Sequence, residues 1–379
     1  MQKSKYISIC ILVFMLIYFL FSQFYLKSLG NTYTYIINVI FFIVMALIVK
    51  FTIIVPDKNL KNRKKILYYV FIAVLIYALI YLLSGIFLRY GKNPYSQSIK
   101  GILLNLYSTG LVIFCREYIR YKIVNNVFKS DRKLIMILAV IVFSVQDIDI
   151  RLIISAGTAY YIFKTIFATI VPTIIKNSLF TYIETYTDFI PAVIYELVLC
   201  LIKWIPSILP NTPWIFDSML DMMVPLILLS YCIYEARSKD KLYIYKKKNN
   251  LKPKGLIPIT IITITGIWFM IGIFPIKPIG IISGSMSPNI NRGDMVIVQK
   301  STINDVEVDD IIEYKRDNKS IVHRIIKKYD VNGKTYVITK GDNNDSQDSG
   351  AVTEDEVQAK IIFKIPYVAW PMVWLNILK

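Results

Sequence analysis

Ser285 in "SGSMSPNINRGD", His323 in "SIVHRII" and the three aspartates of "TKGDNNDSQDSG" are the residues whose types could do chemistry together. A serine hydroxyl is a poor nucleophile until a neighbouring base takes its proton. An imidazole, which titrates near ~6.5 when unperturbed, suits that work around neutral pH, and His323 is the chain's one histidine. The base needs a carboxylate to fix its tautomer and stabilise the imidazolium. Asp342, Asp345 and Asp348 all qualify by type. Each feature has a plainer reading on its own: a strand histidine is commonly structural, "SGSMSP" can be only a turn, and a loop of Asp, Asn, Ser and Gly is usually solvated. A calcium loop does not fit, since the Gly and terminal Glu of an EF-hand are not at the required spacing. Serine, histidine and aspartates within one short segment are a stronger signal than any of them alone.

These residues need a scaffold, and residues 277–366 supply one. Short β-branched runs alternate with turn residues, the pattern of a small β domain. The candidate strands are "IGIIS", "DMVIVQ", "DIIEYK", "SIVHRIIKKY", "KTYVITK" and "VQAKIIFKI". "DVNGKT" predicts a hairpin, because Asn332-Gly333 suits the positive φ angles of a type I′ turn, and "RDNKS" predicts a second turn. The closing stretch 367–379 is apolar and aromatic, broken by Pro371, and reads as interfacial rather than spanning.

The rest of the chain has a different character. Of 379 residues, 55% are hydrophobic and 18% charged, richer in apolar residues than a soluble domain needs. Apolar runs near ~20 residues, long enough to cross the hydrocarbon layer, lie at about 7–26, 36–55, 66–88, 101–115, 216–234 and 256–276. The first run exceeds a signal-peptide core and no small-x-small site follows it, so it is expected to remain as an anchor. Residues 1–255 therefore read as a polytopic membrane region, 256–276 as a transmembrane anchor and 277–366 as an extracytoplasmic domain.

Lys and Arg in short loops stay on the cytoplasmic side. Basic residues are dense at 56–65, at 116–133 and at 235–255, and sparse at 27–35 and 89–100. That alternation places the N-terminus inside and residue 277 outside. Between 134 and 234 an even number of crossings must fit, two or four, making seven or nine before residue 277. Asp147, Asp149, Arg151, Lys164, Lys176, Glu184, Asp188, Glu196 and Lys203 interrupt the apolar runs there. They mark either a polar pathway or re-entrant and interfacial segments.

The net charge of +18 does not point to nucleic acid. Residues 277–360 hold 12 Lys or Arg against 14 Asp or Glu, so the excess belongs to the membrane region and faces lipid head groups. Cys10, Cys115, Cys200 and Cys232 fall in or beside predicted spans. They form neither a disulfide framework nor a CxxC metal site, and no metal or cofactor is expected.

"SGSMSPNINRGD", "IVHRII" and "TKGDNND", in this order and spacing, resemble the type I signal peptidase family, specifically its endoplasmic-reticulum-type branch, in which histidine stands where common bacterial members have lysine. The resemblance implies that Ser285 is the nucleophile and His323 the general base. It implies that Asp348, six residues after Asp342, is the partner of histidine, with Asp342 organising the loop or adding a hydrogen bond; Asp345 matches no fixed position. The oxyanion would be met by the Ser285 N–H, with help from the Ser283 hydroxyl as in relatives. Met286 and Pro288 look like pocket wall and turn former, and Gly293-Asp294 like the family's step into the next strand. Two departures stand out: Ser287, where members often have glutamate, and a multi-spanning N-terminal region where relatives have one or two anchoring helices.

The fold class so expected is a multi-spanning α-helical membrane region followed by a small, mostly β extracytoplasmic peptidase domain. Its function would be to remove signal peptides from exported precursors at the outer face of a membrane. The substrate would lie extended along a sheet edge, with small side chains in shallow pockets. The expected partners are precursor proteins and membrane lipid, with a secretion-machinery partner left unidentified. The abundance of Ile, Lys, Asn and Tyr hints at an AT-rich bacterial genome, hence a bacterial cytoplasmic membrane. The alternatives are a transporter or sensor with a non-catalytic, peptide-binding outer domain, and a self-cleaving peptidase of the repressor type. A range limited to a few secreted substrates is compatible with the same residues.

Overall fold

A computed structural model of the protein describes residues 2–55, 63–154, 159–238, 275–317, 319–370 and 373. The chain divides into a helical unit, Met1–Gly157 with Ile162–Ile261, and a second unit built mainly from Ile262–Lys379.

In the helical unit six stretches are long and apolar enough to cross a membrane: Ser4–Phe24, Tyr33–Thr52, Arg63–Ile86, Ile99–Asn125, Tyr161–Tyr186 and Trp214–Ala236. Five coincide with runs read from hydropathy. The run at 256–276 lies outside the described residues except for Pro275 and Ile276, and Ile276 opens a strand. Tyr161–Tyr186 was not legible as a span, because Lys164, Lys176, Glu184 and Pro172 interrupt it. One shared core joins Leu12, Met15, Phe19, Phe42, Ile119 and Phe143, while Phe14, Ile17 and Phe71 point outward.

One end of this unit gathers Lys5 with Asp131 at 2.8 Å, Arg63 with Asp188 at 3.3 Å and Lys65 with Glu235 at 2.7 Å. The opposite end holds Gln23 against the carbonyls of Val145 and Ile148. There β1 (Tyr90–Lys92) pairs antiparallel with β2 (Ile208–Pro210), and Asn93 donates to the carbonyls of Lys203 and Pro206. By these contacts Lys129–Asp147 and Ile190–Trp204 also run from one end to the other.

The expectation of a basic loop at 116–133 is corrected. The helix continues to Asn125, and Arg116 and Arg120 are buried within it, 4% and 0% exposed. Arg116 pairs with Glu117, Asp147 and Glu196, which is why a helix can carry these cations inward.

The second unit contains a six-stranded antiparallel sheet. Its strands are β3 (Ile276–Gly280), β4 (Met295–Lys300), β5 (Ile311–Arg316), β6 (Lys319–Val331), β7 (Lys334–Lys340) and β8 (Val357–Ile365), in the spatial order β3-β4-β8-β5-β6-β7. Five of the six segments expected as strands form them, and the expected "IGIIS" does so only at Ile279 and Gly280. The first is displaced toward the N-terminus: Pro278 is tolerated there because β3 is an edge strand, and the chain leaves the sheet after Gly280. Asn332 and Gly333 turn the β6–β7 hairpin with φ of 51° and 73°. Two apolar clusters stabilise the sheet, one around Ile303, Ile312, Tyr314, Ile325 and Val337 and the other around Ile281, Met286, Ile290, Val296 and Ala359.

Candidate active site

Ser285 sits in the turns between β3 and β4, half-buried. The segment is fixed from both sides. Ile281 N–H donates to the Asp294 carbonyl at 2.9 Å and Gly293 N–H to the Ile281 carbonyl at 2.8 Å. The buried Asp294 carboxylate accepts from the N–H of Asn291 at 2.9 Å and of Tyr367 at 3.2 Å. Gly293 has φ +92°, and a Cβ there would stand 2.7 Å from the Trp370 indole nitrogen. The Gly-Asp pair of the "RGD" step is thus the clasp that closes the loop carrying the serine. Met286, expected as pocket wall, is 1% exposed and packs into the apolar cluster beneath the loop.

His323 lies on β6 opposite Ile312 of β5 and is 8% exposed. Its Nε2 is 3.1 Å from Ser285 Oγ and its Nδ1 is 2.6 Å from Asp348 Oδ2. With the proton on Nδ1 donated to Asp348, Nε2 accepts from the serine hydroxyl. Asp348 Oδ2 also accepts from Thr339 Oγ1 at 2.7 Å and from the Tyr314 hydroxyl at 3.0 Å. Burial alone would raise the Asp348 carboxyl. The bonds from Thr339, His323 and Tyr314 outweigh it and hold the group below the usual carboxylate range.

Asp342 faces elsewhere. Its carboxylate takes a bidentate pair from Arg324 at 2.9 and 2.8 Å and the Asn289 amide at 2.7 Å. The hydrogen bonds from Arg324, chiefly, lower its carboxyl against a smaller burial effect. Arg324 also donates to the Asp309 carbonyl at 2.8 Å, so Asp342 ties the loop after β7 to β6 and to the serine loop. Asp345 is exposed. Of the three aspartates that residue type left open, the geometry brings only Asp348 to the histidine.

Ser283 Oγ lies 3.3 Å from Ser285 Oγ. The Ser285 N–H makes no hydrogen bond among the described residues. The Ser285 carbonyl accepts the Asn343 N–H at 2.8 Å, and a Cβ on Gly341 would approach that carbonyl to 2.7 Å. The glycine of "KGD" therefore permits the close approach of the two loops.

Four contributors escaped sequence reasoning: Tyr314, Thr339, Arg316 and Asn343. Arg316 pairs with Glu356 at 2.7 Å and donates to the carbonyls of Ser349 at 2.6 Å and Ala351 at 3.0 Å. It thereby clamps the chain that follows Asp348. Only Thr339 and Asn343 carried a signal, being neighbours of the "KGD" stretch.

Residues 255–328 match the family described as signal peptidase, peptidase S26. That segment contains Ser285 and His323 and ends before both Asp342 and Asp348. The chain is similar to the signal peptidase complex catalytic subunit SEC11 of Colletotrichum graminicola, 29% identical over 106 residues, which cover 25% of this chain and 62% of the relative. A SEC11 of Pyricularia oryzae matches to the same extent. Signal peptidase I W of Bacillus subtilis is 33% identical over 89 residues, 23% of this chain and 47% of the relative. The chain thus spans about three fifths of the length of the SEC11 relatives. Through this C-terminal region, residues 255–328, the chain is similar to the type I signal peptidases, peptidase S26.

Proposed function

We propose that the protein is a membrane-bound serine endopeptidase that removes signal peptides from exported precursors. The observation that carries this reading is the continuous chain of contacts from Ser285 Oγ through His323 to Asp348, 3.1 Å and 2.6 Å long, inside a region that matches the signal peptidases.

Each residue then has a role. Nε2 of His323 takes the Ser285 proton as Oγ attacks the scissile carbonyl. The carbonyl electrons move onto oxygen, where the Ser285 N–H and the Ser283 hydroxyl supply donors. The tetrahedral intermediate collapses, the imidazolium protonates the departing amine, and the signal peptide remains as an ester on Ser285. Water, deprotonated by the same imidazole, then releases it. Asp348 holds the Nδ1–H tautomer throughout and offsets the imidazolium charge. Asp342 positions the loop.

The same reading places the active site outside the cytoplasmic membrane of a bacterium, with residues 1–255 polytopic, 256–276 as an anchor, 277–366 as the catalytic domain and 367–379 at the interface. Lys129–Asp147 and Ile190–Trp204, which run end to end in the helical unit, favour eight crossings before residue 239 and nine before residue 277. The ion pairs of Lys5, Arg63 and Lys65 gather at the end that holds Glu235, just before the basic stretch 237–254 in sequence, and this end is the cytoplasmic side on this reading.

The test is to co-express wild type or His323→Ala with a precursor carrying a small-x-small site, in cells depleted of their own signal peptidase. Mature product with the wild type alone supports the proposal. No product with either protein, both inserted, overturns it and favours a peptide-binding domain.

A further inference from the structure

The helical unit buries a connected set of charges that anchoring does not require. Arg116 Nη1 is 2.9 Å from Asp147, and the same guanidinium pairs with Glu117 and Glu196. Lys176 Nζ lies 3.0 Å from both Asp147 and Glu196. Arg120, 0% exposed, pairs with Glu117 at 3.2 Å and donates to Asn177 Oδ1 at 2.6 Å. Ions inside a membrane bundle are costly even when paired, and well-packed apolar side chains stabilise as much. A set this large is a sign of a polar task.

A cavity of about 230 Å³ abuts this set, between the helices Val171–Tyr186, Ile190–Trp204 and Trp214–Ser238. Lys176 and Glu196 form one wall, Lys203 and Asp221 line it elsewhere, and Tyr195 and Leu199 are among the other lining residues. Lys176 and Glu196 are committed to each other and to the buried set. Lys203 and Asp221 are not: Lys203 has no ion pair among the described residues, and Asp221 accepts one hydrogen bond, from the Tyr77 hydroxyl to Oδ1 at 2.9 Å. Both border the same space without pairing across it. The backbone is irregular here as well. A π-helical turn, Ile166–Ile170, leads into the first wall, a feature frequent at functional sites. Pro225 inside its helix removes the donor that the Asp221 carbonyl would otherwise have.

We infer that this cavity binds a small zwitterion, a molecule with a primary ammonium and a carboxylate or phosphate a few atoms apart. Charge matching selects that class. A cation alone meets repulsion from Lys203 and Lys176, an anion alone from Asp221 and Glu196, and an apolar molecule offers no polar contact to Lys203 or to the second Asp221 oxygen. A zwitterion sets its anionic end on Lys203 and its ammonium on Asp221. Free amino acids and the phosphoethanolamine head group share this chemistry. The inference is independent of the peptidase site.

The experiment uses the full-length protein in phosphatidylcholine nanodiscs, titrated calorimetrically with the common L-amino acids and with O-phosphoethanolamine; butylamine and butyrate serve as single-charge controls. Saturable binding of at least one zwitterion, with neither control binding, is expected. An amino acid as the binder identifies a free solute, and O-phosphoethanolamine identifies a lipid head group. Lys203→Met and Asp221→Asn should each weaken binding by about tenfold or more, the loss of one charge-assisted contact, while Lys203→Arg retains it. Leu199→Trp, which fills the cavity from its apolar side, should abolish binding with the charges intact. Binding by no zwitterion, equal binding by a singly charged control, or unchanged binding in Leu199→Trp overturns the inference.

Discussion

Asp348 Oδ2 lies 2.6 Å from Nδ1 of His323, and that contact separates the roles of two aspartates six residues apart. Asp342 spends its carboxylate on Arg324 and Asn289. Asp348→Asn should therefore lower kcat by roughly 10³–10⁴, the effect of losing the tautomer-fixing carboxylate in a serine triad. Asp342→Asn should lower kcat much less and show mainly as a reduced Tm. Steady-state cleavage and thermal unfolding of the two variants, measured side by side, check the division; a larger kcat loss in Asp342→Asn contradicts it.

Tyr314 and Thr339 support that carboxylate. Burial, chiefly, pushes the Tyr314 phenol up to about 12, so it remains a donor across the neutral range. Removing a hydrogen bond to a charged group costs about 1.5–3 kcal/mol. Tyr314→Phe or Thr339→Val should reduce kcat by roughly tenfold and leave KM nearly unchanged, since neither residue is placed to touch substrate. A rise in KM at constant kcat would assign them to binding instead.

The pH dependence should separate catalysis from stability. Asp348, Asp342 and Glu356 all have lowered carboxyls in the fold, Glu356 to about 2, held there first by its hydrogen bonds from Arg316. Their contribution to stability is fully present above the ordinary carboxylate values, ~4. It is lost as pH falls through the lower folded values. Activity should fall at a higher pH than stability, with the domain still folded, because the serine needs a free base. Circular dichroism and cleavage rate on one pH series test this, and coincident loss of both would contradict an imidazole base.

Gly341→Ala should disable the site without touching any side chain of the triad. Its Cβ would stand 2.7 Å from the Ser285 carbonyl, a backbone atom that cannot swing aside. Asp345→Ala, at an exposed position in the same loop, should match the wild type. Equal activity in the two variants would show that the loops do not need this close approach.

The contrast explains what could be read from the chain. Strands β4 to β8 were legible because β-branched runs and turn residues alternate, whereas β3 (Ile276–Gly280) was expected three residues too late, and Asn332-Gly333 announced its own turn. Ser285 and His323 stood out by chemistry and rarity. Tyr314 and Arg316 did not, because they look like ordinary strand residues until β5 is laid beside β6 and β8. Tyr161–Tyr186 failed as a span, and 116–133 misled as a loop, for a shared reason. Lys176, Arg116 and Arg120 are charges whose partners, Asp147, Glu196 and Glu117, come mostly from other helices. Local hydropathy counts the charge but not the partner.

The most direct measurement is kcat/KM of the purified, membrane-reconstituted protein on a precursor with a small-x-small site, for wild type and Ser285→Ala. The account predicts cleavage at that site by the wild type and a fall of at least roughly 10⁴ in the variant, with the far-ultraviolet spectrum unchanged. Cleavage retained by a pure Ser285→Ala preparation would contradict it.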